Sequence, residues 1–154
     1  ALLDAGHVYA APCMSPDGLI AYQESGDDFS GGIVVLDPSG AILTRIPRGR
    51  DDPKKYRRPS FSADGRSVLC YSPGSSAADV DSVLLANMTN GIVRRLAQGV
   101  EPTFADEQTV VFVRRSAGAG AQCAIVRTEL WRVGLDRGSV PVQILSFGEN
   151  PCGR

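Results

Sequence analysis

The chain has 154 residues, 43% hydrophobic and 21% charged, with a net charge of -1 and a pI near 5.8. That balance gives no overall attraction for nucleic acid or an anionic membrane, and no apolar run approaches the ~18 residues that a membrane-spanning helix needs. Four scattered cysteines, Cys13, Cys70, Cys123 and Cys152, form no CxxC pair, which excludes a disulfide scaffold, argues against thiolate metal binding and leaves buried free thiols as the reading.

In chain order, Ala1 to Ala11 is a short apolar piece that runs into Pro12, and Pro12 to Gln23 reads PCMSPDGLIAYQ. This stretch is a hairpin: a proline opens a short strand at a position where its missing N–H is tolerated, an Asp/Gly turn follows, and a second strand covers Leu19 to Gln23. A polar loop, ESGDDFSGG, leads to a third strand at Ile33 to Asp37, and Pro38 to Gly40 turns into a fourth at Ile42 to Ile46. Four short strands with turns between them describe an antiparallel meander.

The chain then repeats itself. Pro59 to Ser72 reads PSFSADGRSVLCYS, and Pro102 to Arg114 reads PTFADEQTVVFVR. With Pro151 the anchor prolines recur about every 45 residues, a period that marks a repeat architecture whose units must stack to cover their apolar faces. The second unit continues with strands at Ser82 to Ala86 and Ile92 to Leu96. The third continues through Thr109 to Val113, a Gly/Ala loop at Ser116 to Ala121, a long strand within Ala124 to Leu135, and Val142 to Leu145. The repeats span 12–49, 59–99 and 102–148; residues 1–11 read as the outer strand of a preceding unit and 149–154 as the start of a further one.

The segments SPDG with LIAYQ, SADG with SVLCYS, and ELWRVGLDRG with PVQIL resemble the TolB-like branch of the WD-type β-propeller repeats. The resemblance implies an all-β fold in which each repeat is a four-stranded blade with its first strand innermost. Propellers close with roughly 4 to 8 blades, and TolB-like ones use six, so three blades leave apolar faces open. Two arrangements satisfy that: a segment of a larger propeller, or a twofold homodimer completing a six-bladed ring. The surplus pieces at both ends favour the first, and the absence of an initiating Met fits either processing or excision from something longer. The resemblance also implies an exported or periplasmic bacterial protein, with a cytoplasmic place left open because the sequence shows no export signal.

On a propeller, the loops leading into each first strand and those joining second to third strands share one face. Here that face collects His7, Tyr9, Glu101, the group Asp27, Asp28 and Phe29, and the run Arg48 to Arg58. In that run Arg48, Arg50, Lys54, Lys55, Arg57 and Arg58 supply bidentate or point-charge contacts to an acidic peptide or phosphate, with Tyr56 available for stacking. These residues, with Asp27, Asp28 and Phe29, are the expected partner-binding set.

Glu24, Asp27 and Asp28 lack the spaced carboxylates of a calcium loop. His7 is the single histidine and no GxSxG is present, so neither a two-histidine metal site nor a serine triad is expected. Ser15, Asp17, Ser62, Asp64 and Asp106 occupy repeat turns and are assigned to turn geometry, and Trp131 to packing between blades. No cofactor and no metal are expected. The leading functional expectation is a non-catalytic scaffold that binds a protein or peptide through its loop face, with no nucleic-acid binding and no membrane insertion. The alternative is the gating propeller of a serine hydrolase of the prolyl oligopeptidase type, with its catalytic domain elsewhere.

Overall fold

The computed structural model describes residues 8–25, 32–46, 56–74, 80–118 and 125–149. These residues form three four-stranded antiparallel sheets, each a meander in sequence order. The first holds β1 (Val8–Met14), β2 (Ile20–Ser25), β3 (Gly32–Leu36) and β4 (Ile42–Ile46). The second holds β5 (Arg57–Phe61), β6 (Ser67–Ser72), β7 (Ser82–Asn87) and β8 (Val93–Gln98). The third holds β9 (Val100–Phe104), β10 (Thr109–Gly118), β11 (Ile125–Gly134) and β12 (Val142–Glu149).

Several strand boundaries differ from expectation, β12 for example running on to Glu149. Residues 8–11, expected on a preceding unit, pair with β2 through Val8↔Ser25 and Ala10↔Gln23 and so belong to the first sheet's own first strand. Strand β10 also continues through Gly118, because its ladder with β11 is unbroken from Thr109↔Gly134 to Gly118↔Ile125. The small residues that read as loop are held in register by main-chain bonds, which small side chains do not disturb.

Turn chemistry explains why each hairpin forms. In the first, the Leu19 N–H donates to Ser15 Oγ at 3.0 Å, and Gly18 takes a φ of +81°. In the second, the Ser67 N–H donates to Ser62 Oγ at 3.0 Å, the Ser62 hydroxyl donates to Asp64 Oδ1 at 2.6 Å, and Gly65 takes a φ of +67°. A serine here caps the turn from within, and glycine supplies the left-handed backbone at little steric cost. The third turn lacks the serine and is closed by the Gln108 N–H donating to Asp106 Oδ1 at 2.8 Å.

The sheets stack face to face and the cores lie between them. Ala21, Ile33, Val35 and Ile46 of the first sheet meet Val68, Cys70, Leu84 and Ala86 of the second. The opposite face of the second sheet supplies Leu69, Val83, Leu85 and Ala97, which meet Val110, Phe112 and Val133 of the third. Strand alternation thus sends neighbouring residues of β6 and β7 into different cores. Cys70 is fully buried as a free thiol, and burial pushes its pKa up to about 12, which makes it a small core hydrophobe.

Candidate functional site

The three first strands share one irregularity. Ala11, Arg58 and Glu101 have φ of 50°, 50° and 53°, and these are the non-glycine residues with positive φ among the described residues. Each stands directly before its repeat's proline, Pro12, Pro59 or Pro102, and each lies where the ladder register slips. An extra residue has been inserted, a β-bulge. The following proline has no N–H to leave unpaired at the irregular position, so bulge and proline suit one another. A left-handed conformation costs an ordinary residue on the order of 1–2 kcal/mol, which the flanking ladders must hold in place.

At two of the three bulges the side chains are charged and face one another. Glu101 Oε1 lies 3.6 Å from Arg58 Nη1 and 3.6 Å from Nη2 of Arg115, the latter reaching over from β10. The arginine side chains are 60% and 58% exposed and Glu101 is 34% exposed. Two guanidinium groups thus share one carboxylate at the inner edge where the second and third sheets meet, and the group carries a net positive charge. Ion pairs this exposed contribute roughly 0–1 kcal/mol to stability, so they do little to hold the sheets together.

Behind this group, packing fixes the neighbouring arginine. The Arg114 guanidinium lies 3.9 Å from the Trp131 ring centre and 5.5 Å from that of Phe112, and its Nε–H donates to the Gln98 carbonyl at 2.9 Å. Desolvation lowers the Arg114 pKa from its ordinary value, with the Glu129 charge opposing the shift. The Trp131 Nε1–H donates to Glu129 at 3.0 Å, and Trp131 packs against the core between the second and third sheets. Arg114 is therefore a fixed part of the wall beside Arg115.

Of the expected partner-binding set, Arg57 and Arg58 are exposed on β5, and Arg58 joins the cluster. Tyr56 is a correction. It is 3% exposed and packs in the core between the first and second sheets, because the large apolar ring is worth more in that core than as a surface platform. Asp27, Asp28, Phe29, Arg48, Arg50, Lys54 and Lys55, like His7, lie outside the described residues. Glu24, weighed above with the acidic loop, sits on β2, is 5% exposed and pairs with Arg45 of β4. No group of three or more metal-ligating side chains occurs among the described residues. Arg115 escaped the sequence reading altogether. The legible signal was the residue before each anchor proline, which reads Ala, Arg, Glu in the three copies.

At the opposite ends of the first strands, the second and third hairpin turns enclose a cleft of about 390 Å³ lined by Ser62, Asp64, Ser67, Glu107, Gln108 and Leu135. Its best-placed carboxylate, Asp64, already accepts from the Ser62 hydroxyl and the Arg66 N–H. That makes the cleft part of the turn scaffold.

The geometry has counterparts among solved structures. The chain superimposes on the acylaminoacyl peptidase of Pyrococcus horikoshii with a TM-score of 0.67, covering 95% of this chain and 26% of that one at 12% identity. It also superimposes on the β-propeller domain of the Trilobed protease from Pyrococcus furiosus, described as having an open velcro topology, with a TM-score of 0.63 at 12% identity, covering 96% of this chain and 44% of that one. These sheets are β-propeller blades. The chain spans less than half the length of either structure. No protein-family model matches the sequence, and no curated protein matches it. In blade terms, the first strands β1, β5 and β9 are innermost, so Arg58 and Glu101 lie on the inner rim, with Arg115 one strand outward.

Proposed function

We propose that this chain forms blades of the propeller domain of a serine peptidase of the prolyl oligopeptidase type, and that the propeller governs which peptides reach a catalytic domain elsewhere in the polypeptide. The observation that carries this reading is the superposition of nearly the whole chain on part of an acylaminoacyl peptidase and on part of the β-propeller domain of a protease. At 12% identity the likeness is one of fold, so the function rests on analogy. The site offers independent support, since an inner rim bearing exposed arginines suits contact with a peptide passing along it. The TolB-like resemblance belongs within the same proposal as a statement about the repeat.

The reading is tested on the full polypeptide that contains these residues. Treatment with a fluorophosphonate probe is expected to label a serine in a GxSxG segment outside residues 1–154. A parent sequence without that segment, together with a protein that takes up no label, overturns the proposal.

A further inference from the structure

We propose that Arg58, Glu101 and Arg115 form a carboxylate-binding site, in which the carboxylate of an incoming peptide takes the place that Glu101 occupies between the two arginines. The inference rests on the peptidase reading for the peptide nature of the ligand; the chemistry of recognition comes from the cluster itself.

The argument begins with a mismatch. A charge-assisted hydrogen bond from guanidinium to carboxylate is about 2.7–2.9 Å long, and Glu101 stands 3.6 Å from both arginines. It offsets one of the two positive charges and lies beyond good hydrogen-bond distance of both. The backbone explains why. Arg58 and Glu101 both project from left-handed bulges whose register the flanking ladder bonds fix, which sets where their side chains start. A carboxylate on a mobile ligand has no such tether and can approach both guanidinium groups.

The bulge itself is repeat architecture, because Ala11 has it with no charge to present. What the second and third blades add is two arginines converging on one carboxylate. Each guanidinium carries five donors, and among the described residues Glu101 is the acid within ion-pair distance of both arginines. Arg57, exposed on the same strand, adds positive charge nearby. A carboxylate ligand can be a peptide C-terminus or an Asp or Glu side chain, and the cluster accepts either chemistry.

Binding to the full polypeptide that contains these residues can be followed by two-dimensional NMR of the arginine Nε–H signals during titration with three tetrapeptides: tetra-alanine with a free C-terminus, tetra-alanine amide, and an amidated tetrapeptide with one internal Glu. The free acid, the Glu peptide or both should shift the Arg58 and Arg115 signals, and tetra-alanine amide should not. Which of the two binds tells C-terminal from side-chain recognition. Glu101→Gln removes the resident competitor and is expected to tighten binding several-fold. Arg58→Gln combined with Arg115→Gln is expected to weaken it about tenfold, as loss of the charge-assisted contacts requires. Circular dichroism establishes that the variants are folded, and the sign of the Glu101→Gln effect separates a competitor from a structural brace. If no carboxylate peptide shifts these signals, or the amide shifts them equally, the site proposal fails. Serine labelling of the parent protein is unaffected by that outcome, so the two failures are distinguishable.

Discussion

The second and third blades have the same strand order but different surroundings. In the second blade the central strands are buried on both faces, with β6 and β7 feeding alternate residues into two cores. In the third, one face packs through Val110, Phe112 and Val133. The ladders set Val111, Val113, Leu130, Leu145 and Phe147 together on the other. Leu145 and Phe147 are 50% and 56% exposed there. The burial of a strand is thus decided by how many neighbours its sheet has, and its own hydrophobicity cannot report that number.

The largest test of this contrast replaces one phenylalanine on each face. Phe112 is 1% exposed and fills the space between the second and third blades, so Phe112→Ala should lower unfolding free energy by about 3–5 kcal/mol. Phe147→Ala, on the open face, should change it by less than about 0.5 kcal/mol. Urea unfolding of both variants checks the difference. A comparable loss for Phe147→Ala would mean that the open face of the third blade is covered in solution, and light scattering would then show whether a second chain covers it.

The joint between the two blades is the next place to strike. Gly99 separates β8 from β9, has a φ of +152°, and a Cβ added there would lie 2.4 Å from Phe112 Cδ2 and 2.7 Å from the Val113 carbonyl oxygen. Those atoms are a core ring and main chain, which cannot swing away. Gly99→Ala should therefore cost about 1–3 kcal/mol from overpacking alone, with backbone strain in addition. The equivalent change at Gly138, which has no atom within 4 Å of an added Cβ, meets only the conformational penalty. Thermal unfolding of the pair measures the steric part as their difference.

The hairpins were legible in the sequence because their causes are local. Ser15, Ser62, Asp64, Gly18 and Gly65 act on residues within five positions of themselves, so the triplicated motif announces both turn and strand. The charged cluster was only half legible. Arg58 and Glu101 could be placed on one face from the repeat register, but their approach depends on two bulges and on the angle between neighbouring blades. Arg115 comes from a second strand that runs past the point where its sequence turns to small residues. Tyr56 was misread because it ends a charged run, and composition around a residue says nothing about which core lies beneath it.

A smaller effect separates the second and third turns. Ser62 both caps its turn and donates to Asp64, whereas Ala105 holds the corresponding place in the third blade. Ser62→Ala should cost about 1 kcal/mol, the net worth of an ordinary hydrogen bond. Ala105→Ser should recover part of that amount in the third blade. Denaturant midpoints of the two variants test the exchange, and equal and null effects would remove the serine's role in the turn.

The same turn makes a prediction about pH. The Ser62 hydroxyl, and after it the Arg66 N–H, hold the Asp64 carboxyl below its ordinary pKa; at Asp106 the Gln108 N–H is the leading cause of a shift in the same direction. A carboxylate whose folded pKa is depressed stabilises the fold above the unfolded value of about 3.9, and that contribution is lost as pH falls through the folded pKa. Both groups are exposed, so solvent screens them and the effect is small. Unfolding midpoints measured from about pH 7 down to about pH 2 should therefore fall more steeply for the native chain than for Asp64→Asn, with the two curves converging in acid. Ser62→Ala should bring the Asp64 carboxyl, followed by NMR, back toward its ordinary value while leaving Asp106 where it was. A shift of both together would show that the depression comes from a field common to the two blades, and the serine would then not be what distinguishes them.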